Sequence, residues 1–366
     1  MKGHRLCVAV SGIHAGENAQ PGPGVIRALR AGMDEPIRVV GLAFDAFDSS
    51  LYAPGLLDDG FLLPYPSTGP EAYLQRLLEI DRECGIDAVL PCLDVELPVL
   101  QSLAPQLEKA GIGCVLPSRR ALAVRRKDTL VEFAESAGIL TPETRILADS
   151  ADLERAMAAF GFPMLIKGPV YEADVVHGEA DARTAFERIG RTWGRPLLAQ
   201  RFVRGEEYNV ALVGDGQGGS YGAVAMRKTI VTRLGKAWGA MTVDDPALLD
   251  FARHIVARLA WYGGCEVELL RTPAGKLYLV EVNPRLPAWI YLSAAAGCNL
   301  PTALLELSLG RVPAPLGSPR AGVFYVRHAA EVVGDMGDIE ALYAAGGRTT
   351  RPPPPLPSRD AAQAAE

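Results

Sequence analysis

Hydrophobic and polar positions alternate with two different periods over the first part of the chain. Apolar residues spaced three and four positions apart predict amphipathic helices, and the clearest spans 70–85, with Gly85 as its end. Short apolar runs typical of buried strands lie between the helices, at 5–10, 37–44, 86–92 and 112–117. Because strands and helices alternate with short loops, we predict an open parallel sheet in an α/β N-terminal domain over residues 1–122.

The pattern then changes, and the following segments predict antiparallel strands with flanking helices. Strand patterns at 208–215 and 220–232 are joined by the turn GDGQGG, and a second hairpin reads CEVELLR–TPAG–KLYLVEVN. We therefore predict an α+β fold of two lobes, the first over residues 123–195 and the second over residues 196–345.

The C-terminal tail differs in composition from the rest of the chain. Residues 346–366 include the polyproline stretch RPPPPLP and carry too few apolar residues to form a core. We predict that this tail is disordered, with docking to an aromatic groove of a partner as the less favoured alternative.

Composition restricts the classes of function. The net charge of −6, with no Lys/Arg cluster beyond the RRK at 125–127, argues against a basic nucleic-acid-binding face. No segment approaches the ~18 continuous apolar residues that a membrane span needs. Six scattered cysteines without a CxxC pair favour a reduced cytoplasm. We therefore predict a cytoplasmic protein that binds neither nucleic acid nor membrane, with a homodimer as an open alternative.

The segment SGIHAGENAQPGPG follows the first predicted strand and admits three interpretations. A dinucleotide fingerprint needs the spacing GxGxxG, but Gly22 and Gly24 follow a proline and no third glycine precedes the helix. The spacing therefore favours a turn into the first helix over a nicotinamide or flavin site. The same loop could also line a substrate cleft.

Polar side chains cluster in the hairpin that ends in VEVNPR. Glu281, Asn283 and Arg285 alternate along the second strand and share one face, as do Glu266 and Glu268 on the first strand. If Glu268 lies opposite Glu281 these side chains converge, whereas a register shift of one residue would send Glu268 to the other face. Oxygen donors without Cys or His suit Mg²⁺ or Mn²⁺. The alternative is a solvated, salt-bridged hairpin face.

The hairpin motif resembles that of the ATP-grasp superfamily. The matching residues are Glu268, the step of thirteen residues to Glu281, and the sequence EVNPR, and the resemblance covers about residues 1–312. The N-terminal region looks like the domain that precedes the ATP-grasp fold in biotin carboxylase and carbamoyl phosphate synthetase. The resemblance implies that ATP binds between two lobes and that Glu268, Glu281 and Asn283 hold Mg²⁺ (or Mn²⁺) at its phosphates.

The resemblance also implies other nucleotide-binding residues. Lys127 and Lys167 match the family's phosphate-contacting basic residues, with either arginine before Lys127 as an alternative to it. Glu207 fits the acid that binds the ribose hydroxyls better than Glu206 does. The adenine edge would bond the backbone of the segment that links the lobes, which consists of Gln200, Arg201, Phe202 and Val203.

One segment departs from the family's pattern. Where many members have a glycine-rich loop over the phosphates, this chain reads GPVYEADVVHGEAD, with acids at Glu172 and Asp174. Carboxylates repel phosphates unless a cation intervenes. Either the loop directs its acids outward, or phosphate contact has shifted to cations such as Arg227, Lys228 or Lys236.

The superfamily's shared chemistry implies a reaction. A substrate carboxylate attacks the γ-phosphate of ATP to give an acyl phosphate and ADP, and an amine then displaces the phosphate. Arg285 and Lys228 would be the catalytic residues that neutralise charge on the phosphoryl group. Trp289 and Tyr291 could touch an acceptor, although packing of the following helix is the favoured role for both.

We therefore predict a Mg²⁺-dependent, ADP-forming carboxylate–amine ligase that makes an amide or peptide-type bond between small-molecule or peptide substrates. Two alternatives stay open. One is biotin-carboxylase-like or carbamoyl-phosphate chemistry on bicarbonate. The other is a nucleotide-binding module without turnover, which the acidic loop at 168–178 favours.

Overall fold

The computed structural model describes residues 5–16, 18–124, 127–168, 172–232 and 235–349, except for the side chains of residues 127 and 128. Within these ranges the chain forms three sheets, one parallel and two antiparallel. No helix in the described ranges combines the length and the apolar character that crossing a membrane requires.

The first sheet is parallel, as the alternating pattern predicts. Its strands are β1 (Cys7–Ser11), β2 (Arg38–Ala43), β3 (Asp59–Leu62) and β4 (Ala88–Leu90), in the order β3-β2-β1-β4. The helices of this region are α1 (Gly22–Gly32), α2 (Pro70–Cys84), α3 (Leu97–Lys109) and α4 (Arg119–Ala123). The predicted end of α2 is confirmed, because Gly85 adopts the left-handed conformation, with a φ of 66°.

The prediction of a strand at 112–117 is wrong. The structure has there only one isolated parallel bridge, between Gly113 and Ala88 of β4. The strand that the pattern missed is β3, whose sequence DGFL lacks a strand period. β3 lies at the edge of the sheet and pairs fully with β2 alone, so a short segment is enough to form it.

The second sheet is antiparallel. Its strands are β5 (Thr144–Leu147), β6 (Met164–Lys167), β7 (Ala173–Val176) and β8 (Leu197–Arg201), in the order β5-β8-β6-β7. Its part of the chain contains α5 (Lys127–Ala137), α6 (Ser150–Phe160) and α7 (Glu179–Trp193). Asp149 caps α6 by accepting a hydrogen bond from the Asp152 N–H at 2.9 Å. Leu153 of α6 and Phe186 of α7 are buried together in the core of this sheet.

The third sheet contains both predicted hairpins. Its strands are β9 (Glu206–Asp215), β10 (Ser220–Val231), β11 (Ala237–Thr242), β12 (Tyr262–Arg271), β13 (Leu277–Asn283) and β14 (Phe324–Val326), in the order β13-β12-β9-β10-β11-β14. The helices that follow or interrupt these strands are α8 (Pro246–Leu259), α9 (Tyr291–Ala295), α10 (Leu300–Ser308) and α11 (Met336–Ala344). β11, β14 and α11 have no counterpart in the predicted elements.

The first and third sheets share one hydrophobic core. Val10 of β1, Leu29 of α1, Val224 of β10 and Leu304 of α10 belong to a single buried cluster. α10 contacts both β4 and the strands β9, β10 and β12, and thus joins the two sheets. A core that continues from one sheet to the other fixes the position of the N-terminal loops relative to the hairpin of β12 and β13.

One face of the third sheet changes from apolar to polar along β9. Ala211 and Val213 are buried in the core shared with the first sheet. Asn209 and Glu207 continue the same face by the two-residue period of a strand, and both line a cleft. The sheet therefore leaves the core between Ala211 and Asn209, and from there on this face lines the cleft.

The prediction that disorder begins at residue 346 is wrong for residues 346–349. Thr349 donates its backbone N–H to the Gly60 carbonyl at 2.8 Å, and Phe61 and Arg348 form an antiparallel bridge. The Arg348 guanidinium lies 3.0 Å from the Asp59 carboxylate. The open edge of β3 offers unpaired backbone groups, which explains why this segment is held. The rest of the predicted tail, 350–366, lies outside the described residues.

The ion pair between Asp245 and Arg271 provides a test of how α8 is anchored. Asp245 caps α8 by accepting from the Ala247 N–H at 3.1 Å, and the Arg271 guanidinium lowers the pKa of its carboxyl group. We expect Asp245→Asn to keep the cap but to lower the free energy of unfolding by about 1 kcal/mol at pH 7.

The stabilisation that this ion pair provides depends on pH. Because the folded pKa lies below the unfolded value of about 3.9, the stabilisation is present above that pH and is lost as the pH falls through the folded pKa. Urea unfolding of both proteins between pH 7 and pH 2 measures the gap, because this range extends below the unfolded pKa of the carboxyl group. A gap that stays constant over this range would contradict the role given to the ion pair.

Candidate functional site

A cleft of about 780 Å³ lies where the three sheets meet. The loops after β1, β2 and β4 supply one wall, the strands β6, β7 and β8 supply a second, and the polar face of the third sheet supplies the floor. A cavity of this size with converging polar groups is typical of a small-molecule site.

The hairpin has the register that makes its polar groups converge. Glu268 of β12 lies directly opposite Glu281 of β13, and Glu266 lies opposite Asn283. All four residues line the cleft. The expectation of a shared face is therefore confirmed, and a β-bulge follows Glu268, where the pairing with β13 shifts.

The donor set of this hairpin fits a hard divalent cation. The Asn283 side-chain nitrogen donates to Glu266 at 2.9 Å and to Glu268 at 3.0 Å, and within the described part of the chain its Oδ1 accepts no hydrogen bond. Carboxylate and amide oxygens are the ligands that Mg²⁺ prefers. The described residues contain no cluster of three or more His, Cys, Asp or Glu side chains arranged for a metal. Further ligands would therefore come from a bound substrate.

Glu266 occupies a different environment from Glu268. It is 4% exposed, and its oxygens accept hydrogen bonds from Asn209 (2.7 Å), Asn283 (2.9 Å) and Trp289 (2.6 Å). Burial raises the pKa of Glu266, and the neighbouring Glu268 carboxylate raises it further. The strand period places Glu266 on the correct face, but sequence gives no sign of its burial or of its three donors.

Lys228 projects over the same floor. Its ammonium donates to Glu207 at 2.8 Å and to the Gly235 carbonyl at 3.2 Å, and it lies 3.9 Å from Glu268. Burial alone would lower the pKa of Lys228, but Glu268 and Glu207 raise it above its usual value. Lys228 is therefore a fixed cation beside the hairpin.

Arg285 is anchored from the first sheet. Its Nε lies 3.0 Å from Oδ1 of Asp94, in the loop after β4. Burial alone would lower the pKa of Arg285, but Asp94 and then Glu266 raise it. The loop that carries Asp94 is held by the buried Glu96, which accepts from the N–H groups of Cys92 (2.9 Å) and Leu93 (2.8 Å). Sequence patterns do not reveal Asp94, because its partner lies in another sheet.

A second arginine, Arg327, lines the cleft just beyond β14 and is absent from the predicted set. It donates to the Ala288 carbonyl at 2.8 Å, and its guanidinium lies 5.7 Å from the centre of the Tyr325 ring. Its Nε is buried without a hydrogen-bond partner, and no carboxylate of the described residues lies within ion-pair distance of it. Arg327 therefore brings a positive charge to the cleft that these residues do not neutralise.

Most of the residues predicted for nucleotide binding also line the cleft. The described lining residues from this group are Lys167, Gln200, Arg201, Phe202, Val203 and Glu207. The Gln200 amide donates to the Thr144 hydroxyl at 2.9 Å, and the Arg201 guanidinium lies 2.9 Å from Glu143. The backbone of both residues is also engaged, because Gln200 pairs with β5 and β6 and the Arg201 N–H donates to the Glu143 carbonyl at 2.8 Å. Of the four residues expected to offer their backbone to a ligand, Phe202 and Val203 lie beyond the end of β8.

The other candidate residues differ in whether they line the cleft. Glu206 accepts from the Tyr208 hydroxyl at 2.7 Å and does not line the cleft, so the cleft acid is Glu207. Lys236 lines the cleft, whereas Arg227 does not. Lys127 begins α5, but its side chain lies outside the described residues, as do both arginines before it.

The acidic loop directs its carboxylates away from the cleft. Ala173 and Val175 line the cavity, so the alternate residues of β7 face the other way. Glu172 and Asp174 both pair with Arg188 of α7, and the Trp193 indole donates to Glu172 at 2.7 Å. The hydrogen bond from Arg188 lowers the pKa of Glu172. The first of the two alternatives for this loop is the one observed.

The N-terminal loop forms a turn and also lines the cleft. The Gly22 N–H donates to the Gly12 carbonyl at 2.9 Å, which closes the turn into α1. Asn18 and Gln20 line the cavity. Trp289 also lines it although only 6% of its surface is exposed, whereas Tyr291 is 40% exposed and lies outside the lining.

Comparison of the sequence with known proteins finds a matching family and several related ligases. Residues 194–331 match the family described as "ATP-grasp in the biosynthetic pathway with Ter operon". The chain is 30% identical over 219 residues to a D-alanine–D-alanine ligase of Laribacter hongkongensis, covering 54% of this chain and 69% of that protein. It is 27% identical over 170 residues to the enzyme of the same name from Chromohalobacter salexigens, covering 43% and 54%.

Solved structures give the same fold. The N5-carboxyaminoimidazole ribonucleotide synthetase of Thermus thermophilus superposes with a TM-score of 0.67 at 20% identity, covering 91% of this chain and 86% of that one. The chain spans about half the length of several curated relatives that it matches. The hairpin geometry, the matched family and the shared fold agree, and the chain belongs to the ATP-grasp superfamily.

Proposed function

We propose that the protein is a Mg²⁺-dependent, ADP-forming ligase that activates a substrate carboxylate as an acyl phosphate and transfers the acyl group to an amine. The observation that carries the proposal is the pairing of Glu268 with Glu281 in a cleft that also contains Arg285 and Lys228. This arrangement combines ligands for a cation with fixed positive charge, which are the groups that phosphoryl transfer requires.

Glu268, Glu281 and Asn283 are the residues that would hold the cation. A bound Mg²⁺ neutralises phosphate charge and orients the phosphates for transfer. The cross-strand pairing sets the spacing of the two carboxylates, and the commitment of the Asn283 nitrogen to Glu266 and Glu268 leaves its oxygen for the cation.

Arg285 and Lys228 would neutralise charge that develops on the transferred phosphoryl group. Both are held by carboxylates before any substrate arrives, Arg285 by Asp94 and Lys228 by Glu207. Donors that are already oriented need little reorganisation during the reaction.

Other residues of the cleft lining would bind the nucleoside. Lys167 would reach the phosphates, the backbone of Phe202 and Val203, just after β8, would pair with the adenine edge, and Glu207 would accept from the ribose. Lys127 remains a candidate phosphate contact from α5. The outward direction of Glu172 and Asp174 removes the repulsion that an acidic loop over the phosphates would cause.

Arg327 would bind a carboxylate of a substrate. Its guanidinium is fixed by the Ala288 carbonyl and the Tyr325 ring and meets no carboxylate among the described residues. A half-buried guanidinium of this kind favours an anionic partner. Small-molecule or peptide carboxylates and amines therefore fit the cleft as substrates.

Bicarbonate chemistry is the second candidate, because the fold is shared with the biotin carboxylase domain of a Hydrogenobacter thermophilus 2-oxoglutarate carboxylase, which was solved with MgADP and bicarbonate. A nucleotide-binding module without turnover is the third, and its support weakens now that the acidic loop points outward. We also propose a cytoplasmic location, which the six unpaired cysteines favour. A homodimer stays a prediction.

The central test is an ADP-release assay with ATP, Mg²⁺ and a matrix of amino acids and short peptides as carboxylates and amines. We expect ADP formation that requires both partners, with an amide product seen by mass spectrometry. ADP formation that requires only bicarbonate would favour the second candidate. Thermal stabilisation by ATP and Mg²⁺ without any ADP would contradict the ligase proposal.

Arg285→Gln tests the role of the guanidinium in the chemical step. We expect kcat to fall by about 10²- to 10³-fold, because one charge-stabilising donor is lost from the transition state. The matched control is Arg311→Gln, which removes an exposed arginine paired with Glu306. Equal rates for the wild type and Arg285→Gln would exclude the proposed role.

Arg327→Gln tests the proposed contact between this arginine and the carboxylate substrate. We expect KM for the carboxylate substrate to rise by about 10-fold or more, since a charged hydrogen bond is worth roughly 1.5–3 kcal/mol, while KM for ATP stays unchanged. The control is Arg320→Gln, because Arg320 is exposed and donates to the Ala295 carbonyl. A rise in KM for ATP alone would place Arg327 at the nucleotide instead.

A further inference from the structure

We propose that Glu266 is a positioning residue for the cation site. It would orient the Asn283 side chain so that the Asn283 oxygen faces the cation, and it would tie that strand end to the segment that follows Arg285. This inference rests on the proposed function, since it concerns how the same cation site is built. Glu266 is outside the ligand set expected from the sequence motif.

The three donors to Glu266 come from separate parts of the chain. Asn209 lies on β9, Asn283 at the end of β13, and Trp289 in the segment between Arg285 and α9. Glu266 itself lies on β12. One buried carboxylate therefore joins four separate pieces of backbone at the floor of the cleft.

Both oxygens of Glu266 are occupied. Oε1 accepts from Asn209 (2.7 Å) and from the Trp289 indole (2.6 Å), and Oε2 accepts from Asn283 (2.9 Å). Only 4% of the side chain is exposed, and both of its oxygens face these protein donors. This geometry suits a group that holds other residues and does not suit a direct cation ligand.

The carboxylates around Asn283 fix the orientation of its side-chain amide. An ionised carboxylate only accepts hydrogen bonds, so the side-chain amide must present its nitrogen to Glu266. The same nitrogen also donates to Glu268 at 3.0 Å. With its nitrogen between two carboxylates, the amide has one favourable orientation, in which its Oδ1 faces away from both acids.

A neutral amide at position 266 would remove this constraint. Glutamine carries an NH₂ group that would confront at least one of the three donors, because Asn209, Asn283 and Trp289 all present N–H groups. The cheapest relief is rotation of the Asn283 amide, which turns its nitrogen toward the cation. Loss of an outer partner that orients a metal ligand typically weakens metal affinity by about 10- to 100-fold.

The experiment measures Mn²⁺ binding by electron paramagnetic resonance, in the presence of a non-hydrolysable ATP analogue, so that no turnover is needed. We expect Glu266→Gln to weaken Mn²⁺ affinity by about 10- to 100-fold. Asp59→Asn is the matched control, because Asp59 is a mostly buried carboxylate paired with Arg38, remote from the cleft, and its loss should leave Mn²⁺ affinity unchanged.

A second variant keeps the proposal testable if Glu266→Gln does not fold. Trp289→Phe keeps the ring in place but deletes the indole N–H that donates to Glu266. We expect a smaller loss of Mn²⁺ affinity, of about 3- to 10-fold, since one of three donors is missing. Unchanged affinity in both variants, or in Trp289→Phe alone if Glu266→Gln is unfolded, would overturn the proposal.

Two other outcomes are informative. A loss for Glu266→Gln as large as that for Glu281→Gln would make Glu266 a direct ligand and would also overturn the positioning role. If the wild-type protein binds the analogue but no Mn²⁺, the proposed cation site fails, and this inference fails with it. If Mn²⁺ binds normally but no ADP forms in the ligase assay, the proposed reaction is rejected. The Mn²⁺ affinities of the variants then still decide whether Glu266 positions Asn283.

Discussion

The structure depends on placing three carboxylates on one face of a sheet within a single cleft. Cross-strand pairing brings Glu266, Glu268 and Glu281 to the same face of the third sheet, where like charges repel one another. Such a group is stable only if donors and cations surround it. The protein supplies these in part, through Lys228 beside Glu268 and Arg285 near Glu266. A divalent cation with its phosphate ligands would complete the balance, which is why this concentration of negative charge suits nucleotide chemistry.

The surrounding fold serves to hold these charges in place. The core shared by the first and third sheets fixes the loop after β4, and that loop carries Asp94 to Arg285. The same sheet face is apolar at Ala211 and polar at Asn209, so one strand belongs both to the core and to the cleft. Catalytic groups anchored on a sheet keep their spacing better than groups on mobile loops.

Sequence predicted the parts of the site that follow from strand period and local register. The faces of β12 and β13, the pairing of Glu268 with Glu281 and the parallel first sheet all depend on neighbouring residues. Asp94 and Arg327 were missed, because their roles depend on contacts between distant elements. The outward direction of Glu172 could have been predicted from the sequence, because the acids of the loop alternate with the apolar residues of β7. The strand β3 escaped because an edge strand needs little strand propensity.

Anomalous diffraction from Mn²⁺, in crystals grown with a non-hydrolysable ATP analogue, tests the cation site most directly. We expect a peak within coordination distance of Glu268, Glu281 and the Asn283 oxygen, beside the analogue. A nucleotide bound in the cleft with its metal elsewhere, or no metal at the hairpin at saturating Mn²⁺, would contradict the proposed cation site.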